Sequence, residues 1–222
     1  MAVWGVVPVK ERDRAKERLA PLLKPAVRKA LALAMLEDVL AALAATARLA
    51  GVIVVTVDRG AGQLARRYGA RIVAEGARGG HTGAVTATAR MLAADPDIAM
   101  LTLPGDIPLV TSGEIEQIIT AHHAAPSFTI VPSHDEGGSN AILVSPPDAV
   151  PLCFGVNSFF PHLRAAEERG ICPTVLRLPG IALDIDNPED LAVLMQRPLS
   201  TRTQTLLAAN LTPARPLAAA RF

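Results

Sequence analysis

The stretch Met100–Val110 reads MLTLPGDIPLV and combines an apolar run, a Pro-Gly pair and an aspartate. Its apolar start is typical of the end of a buried strand, which Pro104-Gly105 stops, so Asp106 comes just past the strand's carboxyl end. In an open α/β sheet, ligands bind in the crevice outside the carboxyl ends of the strands. We therefore predict that Asp106 binds a divalent metal ion. The alternative is that Asp106 merely caps a helix beginning near Thr111.

On either side of this stretch, apolar runs alternate with amphipathic segments. Strands are predicted at 3–9, 52–57, 71–74, 98–103 and 127–132, and helices at 25–48, 58–68, 84–94 and 112–122. The strand segments are short and rich in β-branched residues, whereas the longest helical segment repeats apolar residues every four positions. This order predicts an α/β fold, with a mostly parallel sheet covered by helices on both faces.

The pattern changes after residue 132. Short strands are predicted at 140–144, 175–178 and 182–185, and helices at 158–169, from 187 onward and at 203–210. Proline at position 188 supports a helix start, because its missing N–H needs no partner in the first turn. Residues 212–222 are expected to be loosely ordered. No repeat or long linker divides the chain, so one domain is expected.

Composition excludes several classes of protein. The 222 residues suffice for one α/β domain, and a formal net charge of +1 gives no electrostatic basis for binding nucleic acid or an anionic membrane. Cys153 and Cys172 match no metal-ligand or redox spacing, which favours a reduced, cytoplasmic setting. Neither a signal peptide nor a membrane span is predicted, because no apolar segment has the required character and length.

A second acidic feature is the sequence Asp184-Ile185-Asp186. On a strand, alternate side chains point to the same face, so both carboxylates could reach one ion. Magnesium prefers oxygen ligands and usually takes one or two carboxylates together with substrate phosphates. With Asp106, this pair would form a magnesium site. The alternative is that Asp186 caps the following helix and Asp184 is a surface residue.

Basic residues are concentrated after the first strand, at Lys10, Arg12, Arg14, Lys16 and Arg18. Positive charge at a strand end can bind the phosphates of a nucleotide. Acidic residues interleave with this run, so a solvated face is the alternative. Neither a Walker A lysine motif nor a Rossmann-type glycine motif is present, which makes both of those modes of nucleotide binding improbable.

Two glycine-containing regions complete the candidate site. The segment at 79–83 (GGHTG) could approach a base or ribose closely, although a plain loop is an equal alternative. The segments at 137–140 (GGSN) and 154–158 (FGVNS) offer small donors and bare backbone suited to a compact anion. Ser158 could instead cap its helix, and both roles can hold together because a helix N-terminus also binds anions.

Four motifs, read in this order, carry a family resemblance: PVKERDRAKERL, LPGDIPL, GGSNAILV with CFGVNSFFPHL, and LDIDNPEDL. The chain resembles the guanylyltransferases of coenzyme F(420) biosynthesis over roughly residues 3–196. The resemblance implies a single-domain, Rossmann-like nucleotidyltransferase (GT-A-like) fold. Residues 1–132 would be its nucleotide-binding half, 133–196 the half that binds the acid substrate, and 197–222 a C-terminal tail.

The resemblance also implies substrates and roles. Members join GTP to 2-phospho-L-lactate, phosphoenolpyruvate or 3-phospho-D-glycerate, and pyrophosphate leaves. The implied magnesium ligands are Asp106, Asp184 and Asp186, and the implied catalytic residues are Lys16, Arg18 and Asp106. The implied nucleotide-binding residues are Pro8, Val9, Lys10, Lys16, Gly80, Thr82 and Gly83. The implied residues for the acid are Ser139, Asn140, Gly155 and Ser158. Many relatives have threonines near 139–140 and a different base loop at 80–82, which leaves the acid and the base open.

Three other functions remain as alternatives. Two are enzymes of the same fold, a molybdenum-cofactor guanylyltransferase and a sugar-phosphate cytidylyltransferase, and the third is a non-catalytic nucleotide-binding protein. The first would be expected to carry a glycine-rich first loop that this sequence lacks. The third has less need of a full acidic set. A tail helix at 203–211 could pack on its own domain or on a neighbouring copy, so a homodimer is a further expectation.

Overall fold

One sheet of seven strands forms the centre of the protein in the computed structural model, which describes residues 1–11 and 16–211. The strands are β1 (Ala2–Pro8), β2 (Leu49–Val55), β3 (Arg71–Val73), β4 (Ile98–Thr102), β5 (Ser127–Pro132), β6 (Ser139–Ser145) and β7 (Thr174–Val175). The α-helices are α1 (Pro25–Ala44), α2 (Arg59–Arg67), α3 (Gly80–Leu92), α4 (Ser112–Ala121), α5 (Phe159–Glu167), α6 (Pro179–Ala182), α7 (Pro188–Met195) and α8 (Arg202–Asn210). Two short 3₁₀ turns lie at Glu17–Leu19 and Ala77–Gly79.

The strand order is β3-β2-β1-β4-β6-β5-β7, and every neighbouring pair is parallel except the two pairs that β6 makes. The predicted mostly parallel sheet is therefore confirmed. The chain moves outward from β1 to β3 and then returns to β4 on the other side of β1. The carboxyl ends of β1 and β4 thus form a topological switch point, where open α/β sheets bind ligands.

Alternation along the central strand explains why helices cover both faces. Val6 and Val7 are both fully buried, but they belong to different apolar clusters on opposite sides of the sheet. Helices α1, α2 and α4 pack on the side of Val7, and α3 and α5 pack on the side of Val6. Each buried aliphatic side chain contributes about 1.5–3 kcal/mol. The sheet is therefore a rigid support for the residues at its edge.

Strand β6 departs from the simple alternation of strands and helices. It lies between β4 and β5 and runs antiparallel to both, with Leu143 opposite Leu101 on one side and Thr129 on the other. A tight turn at 133–138 joins β5 to β6, closed by a hydrogen bond from Ser133 N to Gly138 O of 2.9 Å. So short a connection permits only an antiparallel neighbour. The turn also carries β6 and its polar residues to the sheet edge beside β4.

The strand predicted at 182–185 is wrong. Pro179 begins the short helix α6, which ends at Ala182, and the following residues have no regular structure. The segment is held instead by one backbone hydrogen bond of 3.0 Å from Ile185 N to Asp106 O. Ile185 is fully buried, so the apolar pattern that suggested a strand reflects anchoring in the core.

The glycine-rich segment before α3 is more ordered than predicted. The helix begins at Gly80 and not at Ala84, and the 3₁₀ turn at Ala77–Gly79 precedes it. Gly76 and Gly80 both have positive φ, at 77° and 70°, so glycine supplies the backbone conformations that the entrance to the helix requires. The interpretation of this segment as a plain loop is therefore wrong for Gly80–Gly83.

Gly76 should be intolerant of a side chain, because a Cβ atom there would lie 2.6 Å from Gly83 O and 2.7 Å from Ala87 Cβ. Gly69 is a matched control, since its φ of 75° is similar but no atom lies within 4 Å of its Cβ position. We expect Gly69→Ala to lower the free energy of unfolding by about 1 kcal/mol and Gly76→Ala by about 3 kcal/mol. Urea denaturation measures both. Equal losses would contradict the steric argument.

The tail helix packs on its own domain. Asp38 on α1 accepts hydrogen bonds from Thr203 N at 3.0 Å and from Thr203 Oγ1 at 2.7 Å, and Leu207 is fully buried. This settles the position of α8, and a homodimer stays a prediction. The predicted loose order of 212–222 lies outside the described residues. None of the helices in the described part of the chain has the length and apolar character needed to cross a bilayer.

Candidate active site

A cleft of about 1070 Å³ opens at the carboxyl ends of β1 and β4. The predicted site residues that line it are Pro8, Val9, Lys10, Lys16, Arg18, Gly80, Thr82, Asp106, Ser139, Asn140, Gly155, Ser158, Asp184 and Asp186. Gly83 is outside this lining and lies within α3, where its carbonyl faces Gly76. Arg12 and Arg14 lie outside the described residues. The cleft therefore brings together segments that are far apart in the sequence, although the role of each residue stays a prediction.

Asp106 lies at the rim of this cleft because the chain turns sharply after β4. It does not cap α4: Thr111 is the N-cap, accepting a hydrogen bond from Glu114 N at 3.2 Å, while Glu114 Oε2 accepts one from Thr111 N at 3.2 Å. This reciprocal capping box satisfies the helix without Asp106. The Asp106 side chain is therefore available for another partner.

Asp184 and Asp186 reach the same cleft from an irregular segment rather than from a strand. The hydrogen bond between Ile185 and the Asp106 backbone fixes that segment beside the turn after β4. The alternative role for Asp186 is wrong, because Asn187 is the N-cap of α7 and accepts a hydrogen bond from Asp190 N at 3.0 Å. Asp184 and Asp186 therefore both line the cleft, and neither is the N-cap of α7.

Lys16 lies between two of the three aspartates. Its Nζ is 2.6 Å from Asp106 Oδ2 and 2.6 Å from Asp186 Oδ1, and only 10% of its side chain is exposed. Burial alone would lower the pKa of Lys16, but the charges of Asp106 and Asp186 and the hydrogen bonds to them outweigh burial and raise it. Lysine is therefore held as a cation among carboxylates.

The two neighbouring carboxylates have shifted pKa values in opposite directions. Burial alone would raise the pKa of Asp186, but the charge and hydrogen bond of Lys16, together with the charges of Arg18 and Lys10, outweigh burial and lower it. Burial raises the pKa of Asp184, helped by the charges of Asp106 and Asp186 and opposed by a hydrogen bond from Asn140. Asp184 is thus a half-buried acid with negative neighbours, and within residues 1–11 and 16–211 no cation is paired with it.

The donor set fits a hard cation. The Lys16 ammonium already occupies a position between two carboxylates, which shows that this position accepts positive charge. Within residues 1–11 and 16–211, no group of three or more acidic, histidine or cysteine side chains is arranged to hold a metal ion by itself. Magnesium does not require such a group, because it takes ligands from substrate phosphates and water as well.

The start of α3 and the segment at 154–158, which are predicted to bind the nucleotide and the acid, are joined by contacts that the sequence did not reveal. Thr82 Oγ1 donates to Phe154 O at 3.3 Å and accepts from Phe154 N at 2.9 Å. The ring of His81 stacks on that of Phe154, with centroids 4.1 Å apart. His81 Nε2 is buried and has no hydrogen-bond partner among the described residues, and burial lowers the pKa of His81 to about 4. A neutral imidazole therefore packs at the start of α3.

Among the residues predicted to bind the acid, Ser139 already uses its hydroxyl in a contact with His162. Cys153 N donates to His162 Nε2 at 3.0 Å, so the proton of the neutral ring lies on Nδ1, which is 2.9 Å from Ser139 Oγ. Burial lowers the pKa of His162 to about 4. Ser158 precedes α5 but makes no side-chain capping hydrogen bond. Ser158 therefore occupies the predicted N-cap position without using its hydroxyl as a cap.

A buried histidine away from the cleft should make stability depend on pH. His122 lies between Thr129 Oγ1, 2.9 Å from Nδ1, and Ser145 Oγ, 2.8 Å from Nε2. Burial, with a smaller effect of His123, lowers the pKa of His122 to about 4, from an unfolded value near 6.5. As pH falls below 6.5, the unfolded chain therefore gains a proton that the folded chain does not.

From this residue alone we expect the free energy of unfolding to be about 2 kcal/mol lower at pH 5 than at pH 7. Urea denaturation across that range measures it. His122→Gln should remove this contribution and leave those of His81 and His162, whose pKa values are also lowered to about 4, whereas His123→Gln, which changes an exposed neighbour, should reduce the pH dependence far less. An unaltered slope in the His122 variant would show that another group is responsible.

Comparison with known proteins places this geometry in a family. The sequence model of the family described as "Guanylyl transferase CofC like" matches residues 3–210. The chain is 38% identical over 208 residues to a phosphoenolpyruvate guanylyltransferase of Roseiflexus sp. (strain RS-1), covering 93% of this chain and 90% of that protein. It is 35% identical over 189 residues to a 3-phospho-D-glycerate guanylyltransferase of Colwellia psychrerythraea (strain 34H), covering 85% of this chain and 89% of that protein.

Among solved structures, one assigned as a nucleotide-diphospho-sugar transferase from Desulfovibrio desulfuricans G20 matches with a TM-score of 0.70. That alignment covers 95% of this chain and 96% of the other at 17% identity, so it speaks for the fold alone. The single-domain nucleotidyltransferase fold is confirmed. Since the family model spans nearly all of the described residues, and relatives above 30% identity are covered almost completely, the chain belongs to the CofC-like guanylyl transferases.

Proposed function

We propose that this protein transfers GMP from GTP to a small phosphorylated three-carbon acid and releases pyrophosphate, as a step of coenzyme F(420) biosynthesis. The candidate acids are phosphoenolpyruvate, 2-phospho-L-lactate and 3-phospho-D-glycerate. The nucleotide would bind in the half formed by residues 1–132, and the acid in the half formed by 133–196. A cytoplasmic setting is part of the same proposal, consistent with two free cysteines.

The observation that carries the proposal is the meeting of Lys16, Asp106 and Asp186 at the switch point of the sheet, with nitrogen-to-oxygen distances of 2.6 Å. These residues come from three separate segments of the chain. A surface ion pair would not need such convergence. Their charges are suited to a triphosphate and the cation that accompanies it.

Asp106, Asp184 and Asp186 would hold magnesium, which when bound supplies neutralisation of phosphate charge. Lys16 would move away from Asp106 and Asp186 and contact phosphate oxygens instead. Lys10 and Arg18 line the same cleft. Under this proposal, these cations would neutralise the charge of the triphosphate. Thr82 and Gly80 lie at the start of α3, where backbone N–H groups favour an anion or a closely approaching ribose.

The chemical step needs positioning more than it needs a base. A phosphate oxygen of the acid forms a bond to the α-phosphorus of GTP, and the bond from that phosphorus to the bridging oxygen of the β-phosphate breaks. Pyrophosphate leaves with the electron pair of the broken bond. The attacking oxygen is already ionised near neutral pH, because the second phosphate pKa is near 6. The step therefore asks for no general base from the cleft, where the buried imidazole of His81 is neutral.

Pyrophosphate release tests the proposal. The purified protein is mixed with magnesium and GTP, and each of the three acids is added in a separate reaction. One acid should give stoichiometric pyrophosphate and a GMP–acid diphosphate, whereas GTP without an acid should give neither. CTP in place of GTP is the matched control for a cytidylyltransferase.

The other outcomes separate the alternatives. Turnover with CTP and a sugar phosphate, or with GTP and a molybdopterin, would replace the proposal by another enzyme of the same fold. Binding of GTP without turnover on any acid would favour a non-catalytic nucleotide-binding protein. Each of these results would overturn GMP transfer to a three-carbon acid.

A further inference from the structure

Asn140 makes a different set of contacts from those expected of a residue that binds the acid substrate. Its Nδ2 donates to Ile181 O at 3.0 Å, to Ala182 O at 3.1 Å and to Asp184 Oδ1 at 3.0 Å. An amide NH₂ has two hydrogens, so these three oxygens use its whole donor capacity. The side chain is also buried, with only 6% of the residue exposed.

The orientation of this amide is fixed by its neighbours. All three surrounding atoms are carbonyl or carboxylate oxygens, which only accept hydrogen bonds, so the atom facing them must be the nitrogen. The opposite atom, Oδ1, is itself an acceptor and cannot bind a carboxylate or phosphate oxygen. An anionic acid therefore finds no free donor on the Asn140 side chain.

These contacts connect β6 to the segment that carries Asp184. Two of them satisfy carbonyls at the end of α6, which is too short to satisfy its own carbonyls, and the third reaches the carboxylate directly. Asp184 is otherwise half-buried beside the like charges of Asp106 and Asp186, and no cation of the described residues is paired with it. The Asn140 amide therefore holds Asp184 Oδ1, and Asp184 itself lines the cleft.

We propose that Asn140 is a positioning residue that holds the Asp184 carboxylate for cation binding, rather than a contact of the acid substrate. The inference rests on the proposed function, because it concerns the cation that GMP transfer would use. Outer hydrogen-bond partners of metal-binding groups commonly change metal affinity by about 10- to 100-fold when removed. We expect a loss of this size when the Asn140 amide is removed.

The test measures Mn²⁺ binding by electron paramagnetic resonance, with the metal alone, in the wild-type full chain and in three variants. Asn140→Leu keeps the approximate size of the side chain but removes the donors, and Asn140→Ser is short enough to lose the same contacts while remaining polar. Ser139→Ala is the matched control on the same strand, because its hydroxyl faces His162 and not Asp184. Urea denaturation of every variant reports folding separately.

We expect both Asn140 variants to raise the dissociation constant for Mn²⁺ by about 10- to 100-fold. Ser139→Ala should leave it within about twofold, as for a change away from the interaction. The KM for the acid, measured at saturating magnesium, should change by less than about threefold in the Asn140 variants, because positioning and not acid contact is lost.

Three results would overturn the inference. Unchanged Mn²⁺ affinity with reduced stability would show a purely structural role. Unchanged Mn²⁺ affinity with a much higher KM for the acid would make Asn140 a direct contact of that substrate. If the wild type turns over GTP and an acid but binds no Mn²⁺, the inference fails while the proposed reaction stands. If the wild type shows neither turnover nor Mn²⁺ binding, the proposed reaction fails as well.

Discussion

Replacing Asp106 by alanine should lower kcat/KM for GMP transfer by about three orders of magnitude, which is the scale observed when a preorganised charged or polar group is removed from a reacting centre. The fold should survive. The contribution of Asp106 to the surrounding backbone is its carbonyl oxygen, which accepts the hydrogen bond from Ile185 N at 3.0 Å and is present in any residue. Steady-state pyrophosphate release, with urea denaturation beside it, measures both properties.

Asp106→Asn separates charge from shape in this prediction. It keeps the size of the side chain, so activity should fall nearly as far as in the alanine variant if negative charge is what matters. Glu17→Gln is the matched control, because it removes an exposed carboxylate of the same cleft that lies next to Lys16 in the sequence. It should stay within about twofold of the wild type. Near-wild-type turnover in Asp106→Asn would remove that carboxylate from catalysis.

Lys16→Met should have the second-largest effect, a loss of about two to three orders of magnitude in kcat/KM, because the charge opposite the phosphates disappears. A second consequence concerns stability. The ammonium of Lys16 separates Asp106 and Asp186, and without it these carboxylates face each other unneutralised. Added magnesium should therefore raise the melting temperature of Lys16→Met more than that of the wild type.

Lys16→Arg is the control that keeps the positive charge at position 16 and changes the shape of the group that carries it. Its planar guanidinium keeps the positive charge but cannot reproduce a compact ammonium held between two oxygens, so stability should be largely retained while activity stays low. Thermal unfolding with and without magnesium, together with kcat/KM, distinguishes the variants. An equal magnesium-dependent rise in wild type and Lys16→Met would mean that lysine and metal do not share the carboxylates.

The sequence revealed the most where local chemistry determines the backbone. Pro104-Gly105 must end a strand, so the place of Asp106 at a sheet edge could be predicted without the fold. The convergence of Asp184 and Asp186 with it was also anticipated, but for the wrong reason. An apolar residue between two aspartates is equally typical of a strand and of an irregular segment anchored by one buried side chain, as Ile185 is.

Features that depend on long-range packing were not accessible in this way. The local sequence does not indicate that β6 inserts between β4 and β5, because strand order depends on pairing between segments that are far apart in the sequence. Likewise, the Asn140 contacts to Asp184 and the stacking of His81 on Phe154 join residues 44 and 73 positions apart. The sequence could place Asn140 and Gly155 in the cleft, but not say which partners would already occupy the Asn140 donors.

The most direct measurement follows the α-phosphorus of GTP. The protein is incubated with magnesium, one acid and GTP that carries radioactive phosphorus at the α position in one reaction and at the γ position in another. GMP transfer predicts that the α label enters a GMP–acid diphosphate and the γ label enters pyrophosphate, both lost in Asp106→Ala. Transfer of the γ label to the acid or to inorganic phosphate, or no transfer with any of the three acids, would contradict the account.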